Sequence, residues 1–147
     1  MSVSKYFKDK LNKLEDSINP TIKQTFDRNK SLVIEQQTYQ QWYQGEDKNG
    51  SNLVPSYALS TKVVKKRKGQ PFNRVTLNDT GDLYKSVKVD AQTNSMIISA
   101  NVEYYKYLVA HYPKNQILGL QDVFLRQFVT TKVLPNLKKK FKDIISQ

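Results

Sequence analysis

Asp79 and Asp82 stand close together in a motif-like setting, Asn78-Asp79-Thr80-Gly81-Asp82. A carboxylate pair can divide general-acid and general-base work when a cleft pushes the two pKa values apart. The neighbouring residue types favour a different use. An aspartate followed by Thr-Gly makes a turn: the Asp79 carboxylate can accept from backbone N–H groups two residues on, and Gly81 can take φ > 0 without a Cβ penalty. On that reading Asp79 caps a corner, Thr80 and Gly81 form it, and Asp82 faces solvent or begins the next element. The expectation is a segment that organises backbone, with no catalytic residue in it.

Two other sets of residues could carry chemistry. Lys62, Lys65, Lys66, Arg67, Lys68 and Arg74 place six positive charges within 13 residues and no negative ones. Such a run is a solvated loop, a contact to phosphate backbone, or a contact to an acidic protein face. Tyr104, Tyr105, Tyr107 and Tyr112 fall within nine residues. Tyrosine buries area at small entropic cost and keeps a polar tip, so part of this cluster is expected at a subunit interface. Tyr57, Phe72 and Tyr84 flank the basic run without the even spacing of a single-strand stacking platform. His111 is the single histidine and cysteine is absent, which excludes a multi-histidine metal site and thiolate chemistry. No metal and no cofactor are expected. An Asp-Thr-Gly tripeptide also occurs in aspartic proteases, but here there is one copy in a short chain, so that use would demand a homodimer.

The net charge of +11 is unevenly distributed. Residues 1–61 hold eight Lys/Arg against seven Asp/Glu, residues 62–88 eight against two, and residues 89–147 eight against four. A polarised basic surface asks for an anionic partner, either nucleic acid or an acidic protein. A chain of 147 residues fits one domain with a modest core. There is no apolar run near 18 residues and no apolar leader at the N-terminus, so neither a membrane span nor a signal peptide is expected. The absence of cysteine favours intracellular synthesis.

The elements that must position these residues read as α+β: an antiparallel β-sheet containing a hairpin, flanked by N-terminal and C-terminal amphipathic helices. Val3, Phe7, Leu11, Leu14 and Ile18 recur at helical spacing, with Asn19-Pro20 as the expected stop. Gln36–Gln44 reads as a helix with Tyr39, Trp42 and Tyr43 on one side, closed by Gly45. Residues 45–74 read as an extended loop, basic in its second half, although Thr61–Val64 fits either a helix or a strand. Tyr84–Asp90 and Met96–Val102 are the strand candidates, with Val87 and Val89 on a face left partly uncovered. Tyr104–Tyr112 reads as a helix stopped by Pro113. From Gln121, the residues Phe124, Phe128, Leu134, Leu137, Phe141 and Ile144 form a last apolar stripe that Pro135 should kink or divide.

The stretch Thr76-Leu-Asn-Asp-Thr-Gly-Asp-Leu-Tyr-Lys-Ser-Val87 resembles the Leu-x-Asp-Thr-Gly-x-Leu-x-x-Ser-[Ile/Val] core of small neck and tail-completion proteins of tailed bacteriophages. Upstream, Gly45-Glu-Asp-Lys-Asn-Gly50 followed by Tyr57-Ala-Leu-Ser-Thr-Lys62 is similar to that group's glycine-bounded lead-in, with Ala58-Leu59 where the pattern prefers Ser-Pro. Downstream, Ile117-Leu118-Gly119-Leu120 is similar to its Phe-Gly-Leu junction. The resemblance covers roughly residues 36–137. It implies a virion structural protein made in the host cytoplasm: a head–tail joining adaptor that forms a homo-oligomeric ring around the DNA channel and meets portal or tail proteins. The alternative is a non-specific DNA-binding accessory protein that works through residues 62–88.

Overall fold

The computed structural model describes residues 2–147, and the fold is α+β: helices with one two-stranded antiparallel sheet. Contacts divide the chain into two compact units. The first comprises residues 1–29, 90–97 and 125–147, the second residues 30–89 and 98–124.

In the first unit, α1 (Val3–Arg28) begins at Ser2, whose hydroxyl accepts from the Lys5 N–H. The helix runs through Pro20 instead of stopping at Asn19-Pro20. Proline removes one backbone hydrogen bond, and packing along the rest of the helix offsets that loss. α1 packs against α8 (Leu134–Ser146) and the π-helical turn Val129–Val133 that precedes it. Phe26 stacks on Phe128 with ring centroids 5.7 Å apart, and Asn136 donates to the Thr25 hydroxyl at 3.0 Å. Lys10 Nζ donates to the carbonyls of Ile144 and Gln147, so a cation closes the C-terminus of α8.

The C-terminal stripe is interrupted as Pro135 suggested, but its register differs. The π turn widens the step after Phe128, so that Val133 is buried and Leu134 is exposed, where the sequence pattern had placed Leu134 inside. Lys138, Lys139 and Lys140 are exposed.

In the second unit, α2 (Lys30–Glu35) continues into a π turn (Gln36–Gln41) and a 3-10 turn (Trp42–Gln44), closed by Gly45 at φ 80°. Trp42 is fully buried, whereas Tyr39 is exposed, because the inward face of the π turn is taken by glutamines. Within the stretch read as a loop, Leu59–Arg67 form a helix, α3. α4 (Asp82–Ser86) follows, so the first strand is shorter than expected: β1 is Lys88–Ala91 and β2 is Met96–Ser99. Gly81 opens α4, and Leu83 and Tyr84 then turn into the core with Trp42, Val75, Val87 and Ile117. Val87 and Val89 are both buried, which corrects the expectation of an uncovered face there. The helices α5 (Tyr105–His111) and α6 (Lys114–Ile117) meet at Pro113, and α7 spans Asp122–Phe128.

Candidate partner-binding cleft and basic helix

Side chains hold three backbone carbonyls between Thr76 and Asp79. The Tyr84 hydroxyl donates to the Thr76 carbonyl, Lys65 Nζ to that of Asn78 at 2.7 Å, and Gln70 Nε2 to that of Asp79 at 2.8 Å. The Thr76 N–H donates to the Tyr57 hydroxyl at 2.9 Å. Inside this pinned stretch Leu77 sits at φ 53°, a left-handed conformation that branched and bulky residues seldom adopt. Such strain costs about 1–3 kcal/mol and persists only where the surroundings over-determine it, as these bonds do. Gly81, at φ 87°, completes the corner.

Asp79 does not cap that corner. Its carboxylate takes a hydrogen bond from Lys68 Nζ at 2.9 Å, and this bond holds its pKa below the usual carboxylate value. An aspartate kept ionised has no proton to give at neutral pH, so Asp79 is not placed to act as a general acid. Asp82 forms no ion pair among the described residues, and its backbone N–H meets the Thr80 hydroxyl at 3.4 Å.

The corner forms one wall of a cleft of about 390 Å³. Leu77 and Leu108 supply its apolar lining, Tyr57, Tyr104 and Tyr112 its aromatic walls, and Asp79, Thr80 and Asp82 its polar rim. Tyr112 is fixed by donating to the Pro55 carbonyl at 2.7 Å. The Tyr104 phenol is pushed above its ordinary pKa, first by burial and then by the charges of Asp82 and Asp79, which places it among those carboxylates. Tyr105 points inward: its hydroxyl is buried without a partner, and burial raises its pKa. Tyr107 is 65% exposed, with Lys106 Nζ 4.9 Å from its ring centre. The four tyrosines therefore separate into two that line the cleft, one that packs inward and one that faces out.

The six cations separate in the same way. Lys65 is buried, bound to Asn78 and lying 4.9 Å from the Tyr57 ring centre, so it is not presented to a partner. Arg74 donates to the Tyr43 carbonyl at 2.7 Å and lies over the Tyr43 ring. Both were read as partner contacts from sequence and serve the fold instead. Lys68 is exposed but paired with Asp79. Lys66 and Arg67 are exposed on α3, with Lys62 half-buried beside them, and these three remain for an anionic partner; Lys66 lies over Phe72.

No family model matches the chain, and no curated protein or solved structure matches it. Among the described residues, no group of three or more His, Asp or Glu side chains could hold a metal ion, and no helix is long and apolar enough to cross a membrane. Tyr57, Leu77 and Leu108 complete the cleft and were not singled out as site residues. Tyr57 and Leu77 stand in the segments that carry the family resemblance, and Leu108 lies in the helix pattern of Tyr104–Tyr112.

Proposed function

We propose that this protein is a structural subunit of a tailed-bacteriophage particle, a neck or tail-completion adaptor that joins head to tail. The observation that carries the reading is the segment Thr76–Val87. Its resemblance to the family rests on turn-forming residues in a fixed order, and those residues build the left-handed corner at Gly81 and the wall of the cleft. A motif used to shape backbone suits a protein whose work is contact. The exposed Tyr107, the aromatic cleft and the cations of α3 are surfaces for neighbouring subunits and for acidic portal-side faces or exiting DNA. In a ring each subunit would use a heterologous, head-to-tail interface that closes by rotation. The test is genetic and compositional. Particles purified from a host that carries the gene should contain the protein, and deletion should leave filled heads and free tails unjoined. Joined, infectious particles lacking the protein would overturn the reading.

A second reading is non-specific DNA binding through Lys62, Lys66 and Arg67, favoured by the exposure of Lys66 and Arg67 on one short helix with Lys62 half-buried beside them. Three phosphate contacts would give a slope of about −3 in a plot of log affinity against log salt. No binding by the isolated protein at low salt would leave the adaptor alone.

A further inference from the structure

The first three turns of α1 carry an apolar face that nothing among the described residues covers. Val3, Phe7 and Leu11 are 72%, 61% and 58% exposed, yet they recur at the spacing of a helix seam. The adjoining flank of the same helix is already used: Lys10 reaches the last carbonyls of α8, and Ser17 is buried. The open face is thus a strip beside an occupied one on a helix held along its length.

The charges beside this strip say what fits it. Lys8 and Glu15 are seven residues apart, so both lie on the same side of the helix, bordering the seam, with Leu11 near the midpoint between them. Neither forms an ion pair within the chain among the described residues. Laid antiparallel across Leu11, a second α1 places its Glu15 against Lys8 and its Lys8 against Glu15, with Leu11 meeting Leu11 at the centre. In a parallel arrangement the two Lys8–Glu15 flanks would lie on opposite sides of the pair and would not meet. Reciprocal pairs flanking an apolar seam select partner and orientation in paired helices.

We propose that two copies of this protein associate through an antiparallel, two-fold pairing of residues 3–18 of α1. This contact is isologous and rests on observations in the first unit alone, so it stands or falls apart from the adaptor reading. The seam is about 24 Å long at 1.5 Å per residue.

Sedimentation of the full chain over a concentration series should show a mass moving from 17.1 kDa towards twice that value. Phe7→Ser and Leu11→Ser should each keep the helical circular dichroism and remain monomeric, since both side chains are exposed. Lys8→Glu and Glu15→Lys should each raise the dissociation constant roughly tenfold by turning two attractions into two repulsions, and the double variant should restore it. Because the chain has no cysteine, Leu11→Cys gives a clean probe. It should cross-link with a short bis-maleimide, while Lys13→Cys on the opposite side should not. A monomer at every concentration would overturn the proposal. So would a dimer insensitive to Phe7→Ser, a double charge variant no better than the single ones, or cross-linking through position 13.

Discussion

The side-chain amide of Gln41 grips the backbone around Gly119 from both ends. Its Nε2 donates to the Gly119 carbonyl at 2.9 Å, and its Oε1 accepts from the Gln121 N–H at 2.7 Å. One turn earlier Gln37 does the same, donating to the Ile117 carbonyl and accepting from the Gly119 N–H, while Trp42 Nε1 also donates to Ile117. Two glutamines thus pair with an extended segment as a neighbouring strand would, and they satisfy backbone groups that burial would otherwise strand. Gln41→Ala leaves a buried donor, the Gln121 N–H, and a partly buried acceptor, the Gly119 carbonyl, without these partners. Its cost should be roughly 2–4 kcal/mol in urea denaturation. Gln40→Ala, outside this clasp, should cost much less. Equal effects would mean that the clasp adds little.

Gly81 and Gly45 both lie at positive φ, at 87° and 80°, but they differ in what a methyl group would meet. Nothing approaches a Cβ at Gly81 closer than 4.0 Å, whereas at Gly45 the Arg74 Cβ would stand at 2.9 Å. Gly81→Ala should therefore pay only the left-handed penalty, about 1–2 kcal/mol. Gly45→Ala should lose that amount and more, because Arg74 is tied to the Tyr43 carbonyl and cannot withdraw freely. Urea midpoints of the two variants give the order directly.

The basic run divides into structural and available charges, and stability should divide with it. Lys65→Met removes a charged donor from the Asn78 carbonyl and should cost about 1.5–3 kcal/mol. Replacing Lys66 and Arg67 together by glutamine should leave the melting temperature within a degree or so, since exposed charges contribute little. A large drop in the double variant would show that α3 depends on those charges.

Much of this arrangement was legible, and the part that was not has identifiable causes. Helical spacing revealed α1 and the C-terminal stripe, and the punctuation at Gly45, Gly81 and Pro113 falls where the chain turns. Pro20 was misread because a local rule about proline carries no knowledge of α8 packed alongside. Leu134 was misread because one wide turn shifts the register of everything after it. Tyr84 looked like the start of a strand, yet its ring belongs in the core, and a short helix brings it there. For Lys65 and Arg74 the deciding partners are carbonyls 13 and 31 positions away, and for Gln37 and Gln41 about 80 away. No windowed pattern contains them, although the doublets Gln36-Gln37 and Gln40-Gln41, four apart, were a signal of a repeated helix face.

Alkaline stability should be set by the tyrosines. Burial pushes Tyr84 far above the ordinary value of 10.0, and it also raises Tyr104, Tyr105 and Tyr112. Unfolded tyrosines release protons near pH 10 while these remain protonated in the fold, so the unfolded state binds fewer protons and stability falls as pH rises above about 10. Absorbance at 295 nm should show Tyr84 losing its proton only together with unfolding. Tyr84→Phe should flatten the alkaline slope while losing some neutral stability with its bond to Thr76. An unchanged slope would remove Tyr84 from the account.

The adaptor reading is most exposed at the surface beside the cleft, where folding and assembly should separate. Tyr107 is exposed and makes no tertiary hydrogen bond among the described residues, so Tyr107→Asp should fold with an unchanged melting temperature. Asp82→Lys should fold as well, at a small loss from placing a cation in the first turn of α4. Both changes alter a face that a neighbouring subunit would cover: one puts a charge where a ring should be buried, the other reverses the only unpaired carboxylate at the rim. Complementation of a deletion with either variant should give soluble protein that fails to enter particles. Tyr105→Asp is unsuitable for this purpose, because its buried hydroxyl makes it a folding variant. Normal incorporation of both Tyr107→Asp and Asp82→Lys would show that the subunits meet elsewhere, whatever the protein's place in the particle.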